Sequence, residues 1–237
     1  MAVVEVEGVT KLFGSLAALN DVSFQVEEDE LFGIAGPNGA GKSVLFSVIS
    51  GFYRPTSGRV AFEGQDIVGL GPHQICHRGL TRTFQTPATF HSISVRENVL
   101  AGGLFGARRA DRVPEILRFL GLEGVADAKA TNLDLYTTKK VVLAAALATD
   151  CKVLMLDEPM AGFSHVEIES FLGLIRRINR EWGVTIMIIE HLLDVLIGVT
   201  DRMMILHYGE VLYCGSPDSV KNDQRVVDVY LGGATAE

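Results

Sequence analysis

Cysteine is scarce in this chain: Cys76, Cys151 and Cys214 stand far apart, and none belongs to a CxxC pair. Three scattered thiols exclude a disulfide framework and a structural zinc site, and they suit a reducing compartment. Long apolar runs are also missing. The longest uninterrupted one, Val141 to Ala148, falls far short of the ~20 residues of a membrane-spanning helix, so any membrane role is expected through a partner. The opening stretch MAVVEVEGVTKLFG lacks the basic and apolar regions of a secretion signal. Basic clusters are few and short. With 21 Lys and Arg against 29 Asp and Glu, the formal net charge is -8. The chain as a whole therefore repels nucleic acid and anionic headgroups, and a polyanion must be held by a local site. Internal repeats and low-complexity linkers are absent too.

What is present is a globular composition, 48% hydrophobic and 21% charged over 237 residues. That length allows a sizeable core, in one large α/β domain or in two small lobes. VVEVEGVTKLF and ALNDVSFQVEEDE alternate with period two and predict antiparallel strands. Leu31 to Ala35 is a nearly continuous apolar run, as in a strand buried on both faces. VLFSVISGFY then fits a helix ending near Gly51, and RPTSGRVAFEGQDI reads as a turn, a strand and a tight glycine turn.

From Pro72 to about Ala130 the pattern is helical and loop-rich. Its clearest helix is VPEILRFLGL, with Pro114 in the first turn and Gly121 near the end. Val153 to Leu156 and VTIMIIE return to buried strands, separated by an amphipathic helix that Ser164 and Glu167 open with capping-box spacing. RMMILHYGEVLYCGS closes as a hairpin turned at Tyr208-Gly209. Apolar strands alternating with helices predict an α/β fold with a mostly parallel core sheet, an N-terminal antiparallel β portion and an inserted helical lobe.

Two stretches carry chemistry. GPNGAGKS, Gly36 to Ser43, matches G-x-x-x-x-G-K-[ST] directly after a buried strand and before a helix. Gly36, Gly39 and Gly41 let the backbone N-H groups turn toward phosphates at a helix N-terminus. Pro37, Asn38 and Ala40 complete the loop. Lys42 is suited to the β and γ phosphates, and the Ser43 hydroxyl to Mg²⁺. KVLMLDEP then places Asp157 and Glu158 at the C-terminal end of a buried strand, where ligands of parallel sheets gather. Asp157 is suited to hold Mg²⁺ through its water, and Glu158 to polarise an attacking water.

GPNGAGKS, LDEP and IIEH, in that order along nearly the whole chain, resemble the nucleotide-binding subunit of ABC transporters. The resemblance implies a P-loop NTPase fold that binds ATP and Mg²⁺ and hydrolyses ATP. It implies a single ABC domain over 1–237, with a core of 1–71 and 149–237 and a helical subdomain over 72–148 that meets the permease. His191 would be the switch histidine at the γ phosphate, and Gln85 in RTFQ would touch Mg²⁺ or the water and relay nucleotide state to the membrane subunits. Phe13 occupies the position whose ring stacks on adenine.

Implied partners are a second ATPase subunit, identical or different, two integral-membrane permeases and, indirectly, a solute-binding protein. No nucleic acid is among them. The implied place is the cytoplasm, at the inner face of the membrane through the permeases. A soluble ABC ATPase acting on DNA or ribosomes usually adds a coiled-coil insertion or a second cassette, and neither fits in 237 residues.

VISGFYRPTSGRV, RTFQTPATFHSISVRENVLAG, MAGFSHVE and the terminal VVDVYLGG narrow the resemblance to importers of branched-chain and other hydrophobic amino acids. Similar subunits serve urea, short amides or lipopolysaccharide export. One departure stands out. The signature segment, commonly LSGGQ in the family, falls on Leu133, Asp134, Leu135, Tyr136 and Thr137, with no glycine and with Asp134 where a serine would meet the partner's γ phosphate. A carboxylate set against a phosphate is repulsive, so two readings stay open: a hydrolysing motor subunit, or a nucleotide-binding clamp with little turnover.

Overall fold

The computed structural model describes residues 1–106 and 110–231. In chain order come β1 (Ala2–Phe13), β2 (Leu16–Glu27), β3 (Leu31–Ala35), α1 (Lys42–Ile49), β4 (Ser57–Phe62), β5 (Gln65–Asp66) and α2 (Pro72–His77). Then follow β6 (Leu80–Arg82), α3 (Val95–Phe105), α4 (Val113–Phe119), α5 (Leu135–Leu147), β7 (Val153–Asp157) and α6 (His165–Trp182). The chain closes with β8 (Thr185–Ile189), α7 (Leu193–Ile197), β9 (Arg202–His207), β10 (Glu210–Gly215), α8 (Pro217–Val220) and α9 (Gln224–Leu231). They form two compact units, Met1–Gly71 with Thr185–Glu237, and Pro72–Val184.

In the first unit an antiparallel sheet runs in the order β2-β1-β4-β5. It buries Val4, Val6 and Val9 of β1 with Leu19, Val22 and Val26 of β2, the period-two alternation being broken by register shifts between the two strands, while Glu7 faces water and pairs with Arg59 at 3.3 Å. The other sheet of this unit has β3 between β8 and β9, parallel to both. All five residues of β3 are buried, which is why its sequence is continuously apolar. β10 returns antiparallel on β9. Both turn residues, Tyr208 at φ 47° and Gly209 at φ 81°, adopt the left-handed backbone that a two-residue hairpin of this twist requires.

The second unit is largely helical. α3 opens on the capping box of Ser94 and Glu97, and α6 on that of Ser164 and Glu167. α3 lies so close to α5 that a Cβ on Gly102 would stand 2.0 Å from the Ala145 carbonyl oxygen. Within this region, which reads as helix and loop, β6 is a short strand parallel to β7, with Arg82 in register with Met155. Three residues reading Leu-Thr-Arg carry no periodicity of their own. The pairing comes from β7, a fully buried strand whose backbone groups demand partners.

Candidate nucleotide-binding site

In the first unit the chain leaves β3 at Ala35 and turns through the glycine-rich loop into α1. Gly36 at φ 154° and Gly41 at φ 102° accept no other residue, because a Cβ would meet the Leu206 carbonyl oxygen at 2.1 Å and the Ala18 carbonyl oxygen at 2.5 Å respectively. The Ala40 carbonyl accepts the Gly209 N-H at 3.0 Å, tying the loop to the β9–β10 turn. Gly39 is also left-handed, at φ 80°, and Pro37, Asn38 and Gly39 lie at the surface side of the loop, partly or fully exposed.

Lys42 is 5% exposed, and its Nζ donates to the carbonyls of Gly36 at 2.7 Å and Pro37 at 3.1 Å. The ammonium is thus held across the inside of the bend. Ser43 is exposed in the first turn of α1, where the helix leaves its first N-H groups unpaired. A caged cation, a hydroxyl and a helix N-terminus on a bent backbone are a donor set for a polyphosphate and its metal.

Phe13, the last residue of β1, is 42% exposed rather than buried in the core. Its ring meets Tyr53 edge-on at 5.3 Å, and Lys11 Nζ stands 5.0 Å from its centroid. An exposed aromatic with a cation beside it suits a planar base bearing phosphates. His191 follows β8 at the surface, with Nδ1 3.7 Å from an oxygen of the buried Glu190, longer than a hydrogen bond.

In the second unit, β7 ends in the buried Asp157, and the half-buried Glu158 follows it. The last residue of β6 and the segment after it reach both acids. Arg82 donates to Asp157 Oδ2 at 2.8 Å, and Gln85 Nε2 donates to Glu158 Oε2 at 2.6 Å. Glu158 has φ 44° directly before Pro159, a left-handed conformation that costs a side-chain-bearing residue about 1–2 kcal/mol. No three or more His, Cys, Asp or Glu side chains cluster as a metal site among the described residues. Magnesium does not need such a cage, since it binds through one or two protein oxygens together with substrate phosphates.

The segment Leu133 to Thr137 lies in this second unit and leads into α5, whose first helical residue is Leu135. Asp134 is its N-cap, accepting the Thr137 N-H at 2.7 Å and the Thr137 hydroxyl at 3.1 Å. These hydrogen bonds, the backbone one foremost, hold the Asp134 carboxyl below the usual carboxylate range. Tyr136 packs against Phe163 at 5.2 Å and Phe171 at 6.1 Å and shares a 2.9 Å hydrogen bond with the Ser170 hydroxyl. The exposed Leu135 approaches Gly162, where an added Cβ would lie 2.9 Å from its Cδ2.

Sequence reasoning missed Arg82. Its one signal is its place three residues before Gln85 in RTFQ, and its pairing with Asp157 depends on the unread strand β6. The last two residues of VVDVYLGG, Gly232 and Gly233, lie outside the described residues.

Comparison with known proteins agrees with this geometry. The family model described as ABC transporter matches residues 19–161. A protein of Archaeoglobus fulgidus, named a probable branched-chain amino acid transport ATP-binding protein LivG, is 35% identical over 257 residues, covering 100% of this chain and 98% of its own. The high-affinity branched-chain amino acid transport ATP-binding protein LivG of Escherichia coli K12 is 34% identical, covering 97% of each. Among solved structures, the ADP conformation of an ATP-binding cassette of an ABC transporter matches with a TM-score of 0.89 at 32% identity, over 98% of this chain and 99% of that one. With its phosphate loop, its strand-end acids and these relatives, the chain belongs to the ABC transporter family as an ATP-binding cassette.

Proposed function

We propose that this cassette hydrolyses ATP to drive import of branched-chain or other hydrophobic amino acids through separate membrane subunits. The observation that carries the reading is the loop Gly36 to Ser43, in which two glycines admit no side chain and Lys42 is caged behind the bend. The full-length relatives named for branched-chain amino acid transport support the class of solute. Partners on this reading are a second ATP-binding subunit, two permeases and, indirectly, a solute-binding protein. Its place is then the cytoplasmic face of the membrane, with 72–148 as the helical subdomain facing the permease and 1–71 with 149–237 as the core.

Each residue has a role that its surroundings permit. The loop N-H groups between Gly36 and Gly41, where Pro37 supplies none, and the Lys42 ammonium bind the phosphates, and Phe13 offers its ring to adenine. Ser43, Asp157 and Gln85 would hold Mg²⁺. Bound Mg²⁺ supplies electrostatic neutralisation of charge developing on the phosphate oxygens. Glu158, oriented by Gln85, accepts a hydrogen bond from the attacking water and so polarises it, and His191 contacts the γ phosphate.

The capped α5 bears on the second subunit's ATP, which in this family lies against the signature segment. Asp134 already fills the helix N-terminus with its own carboxylate, which favours unequal turnover at the two sites. The test is Glu158→Gln in the complex reconstituted with permeases: ATP binding should persist while uptake is abolished. Uptake at a substantial rate would overturn the motor reading and leave a nucleotide-binding clamp.

A further inference from the structure

Resting on that reading, we propose that Arg82 is a positioning residue that acts through Asp157: a tethered cation that neutralises Asp157 until nucleotide-bound metal arrives, making metal binding depend on the nucleotide. Arg82 ends β6 and reaches along the paired strand from its register partner Met155 to the acid two residues further on. The guanidinium and the carboxylate are 2.8 Å apart, and both side chains are only 6% exposed. The guanidinium also lies 4.9 Å from the centroid of the Phe84 ring, so its orientation is fixed from two sides.

A buried ion pair of this kind adds little stability compared with an apolar pair of the same size, because desolvation cancels most of the attraction. Its presence at the metal-binding end of β7 therefore points to function rather than to packing. A planar, always-charged guanidinium suits the task better than an ammonium, which is more strongly hydrated.

The competition follows from charge. A bare divalent cation approaching Asp157 meets a carboxylate already neutralised by Arg82 and is repelled by the guanidinium beside it. Metal arriving with a polyphosphate has its charge offset by the phosphates, so repulsion from the guanidinium no longer prevents binding, although it still weakens it. Gln85, three residues on, contacts Glu158 at 2.6 Å, so the short segment 82–85 supplies one polar group to each of the two acids.

The experiment measures Mn²⁺ binding to the full chain by electron paramagnetic resonance, with and without a non-hydrolysable ATP analogue. Wild-type protein should bind Mn²⁺ saturably only with the analogue. Arg82→Gln should lower the half-saturating Mn²⁺ at least fivefold with the analogue and gain saturable binding without it, and adding Asp157→Asn should remove that gain. An unchanged or higher half-saturating concentration in Arg82→Gln would overturn the proposal.

If Arg82→Gln does not fold, Phe84→Ala carries the test, because removing the exposed ring loosens the guanidinium and so weakens its hold on Asp157. A fall of at least twofold is then expected, and no change overturns the proposal. Absence of nucleotide-dependent Mn²⁺ binding in the wild type would instead overturn the proposed function itself.

Discussion

The Asp134 carboxylate accepts the backbone N-H of Thr137 at 2.7 Å and so closes the N-terminus of α5 with a charge supplied by the chain itself. This explains a glycine-free signature segment in local terms. Asp is among the strongest helix caps, and Tyr136 fixes the first turn onto Phe163, Phe171 and Ser170. The helix needs no glycine to begin.

Replacing that cap separates its two consequences. Asp134→Ala should lower stability by about 1 kcal/mol and Asp134→Ser by less, read from urea unfolding midpoints. In the assembled complex, Asp134→Ser should also raise ATP turnover, since a neutral cap leaves the helix N-terminus attractive to a phosphate. Adding Tyr136→Gly would blur that result, because it also removes the ring packed on Phe163 and Phe171. Equal turnover in wild type and Asp134→Ser would show that the carboxylate does not limit the second site.

Glu158 gives a trade between stability and activity. It holds φ 44° before a proline, which glycine adopts freely and alanine does not. Glu158→Gly and Glu158→Ala both remove the carboxylate and the hydrogen bond from Gln85. The glycine variant should nonetheless be more stable than the alanine variant by about 1 kcal/mol, measured by thermal or urea unfolding. Both should fail to hydrolyse ATP. Equal stabilities would mean that the left-handed backbone at Glu158 carries no strain.

Much of this was legible in the sequence, and the exceptions share a cause. The phosphate loop, the fully buried β3, β7 and β8, the Ser164 capping box and the Tyr208-Gly209 turn are all written in residue types within a few positions of one another. β6 and the Arg82–Asp157 pair were not, because they join residues 75 positions apart and β6 is specified only by the edge of β7. Asp134 was visible as a departure from the family pattern. Its role as a cap is local, since the N-H it accepts belongs to Thr137, three residues ahead.

The cysteines report on opening of the second unit. Burial pushes the Cys151 thiol up to about 12, so at pH 8 only on the order of one molecule in ten thousand carries its thiolate, the species that reacts. Cys214 is exposed. An alkylating reagent at pH 8 should label Cys214 promptly in native protein and Cys151 only after addition of denaturant, as peptide mass mapping would register. Prompt native labelling of Cys151 would mean that the region around it opens readily.

Acid should weaken the protein through its helix caps. Asp134 is held low by the Thr137 N-H, Glu97 by the N-H and hydroxyl of Ser94, and Glu167 by the hydroxyl and N-H of Ser164. A carboxyl whose folded pKa lies below its unfolded value stabilises the fold above the unfolded value, about 3.9 for Asp and 4.3 for Glu. That stability is lost as pH falls through the lower, folded value. Urea midpoints should therefore change little between pH 7 and 5 from these groups and drop below about pH 4. The double variant Glu97→Gln, Glu167→Gln keeps the acceptor oxygens but not the charges, so it should start lower at pH 7 and lose less than wild type between pH 5 and 3. If both proteins lose the same amount over that interval, the caps are not what acid attacks, and the drop must come from other carboxylates.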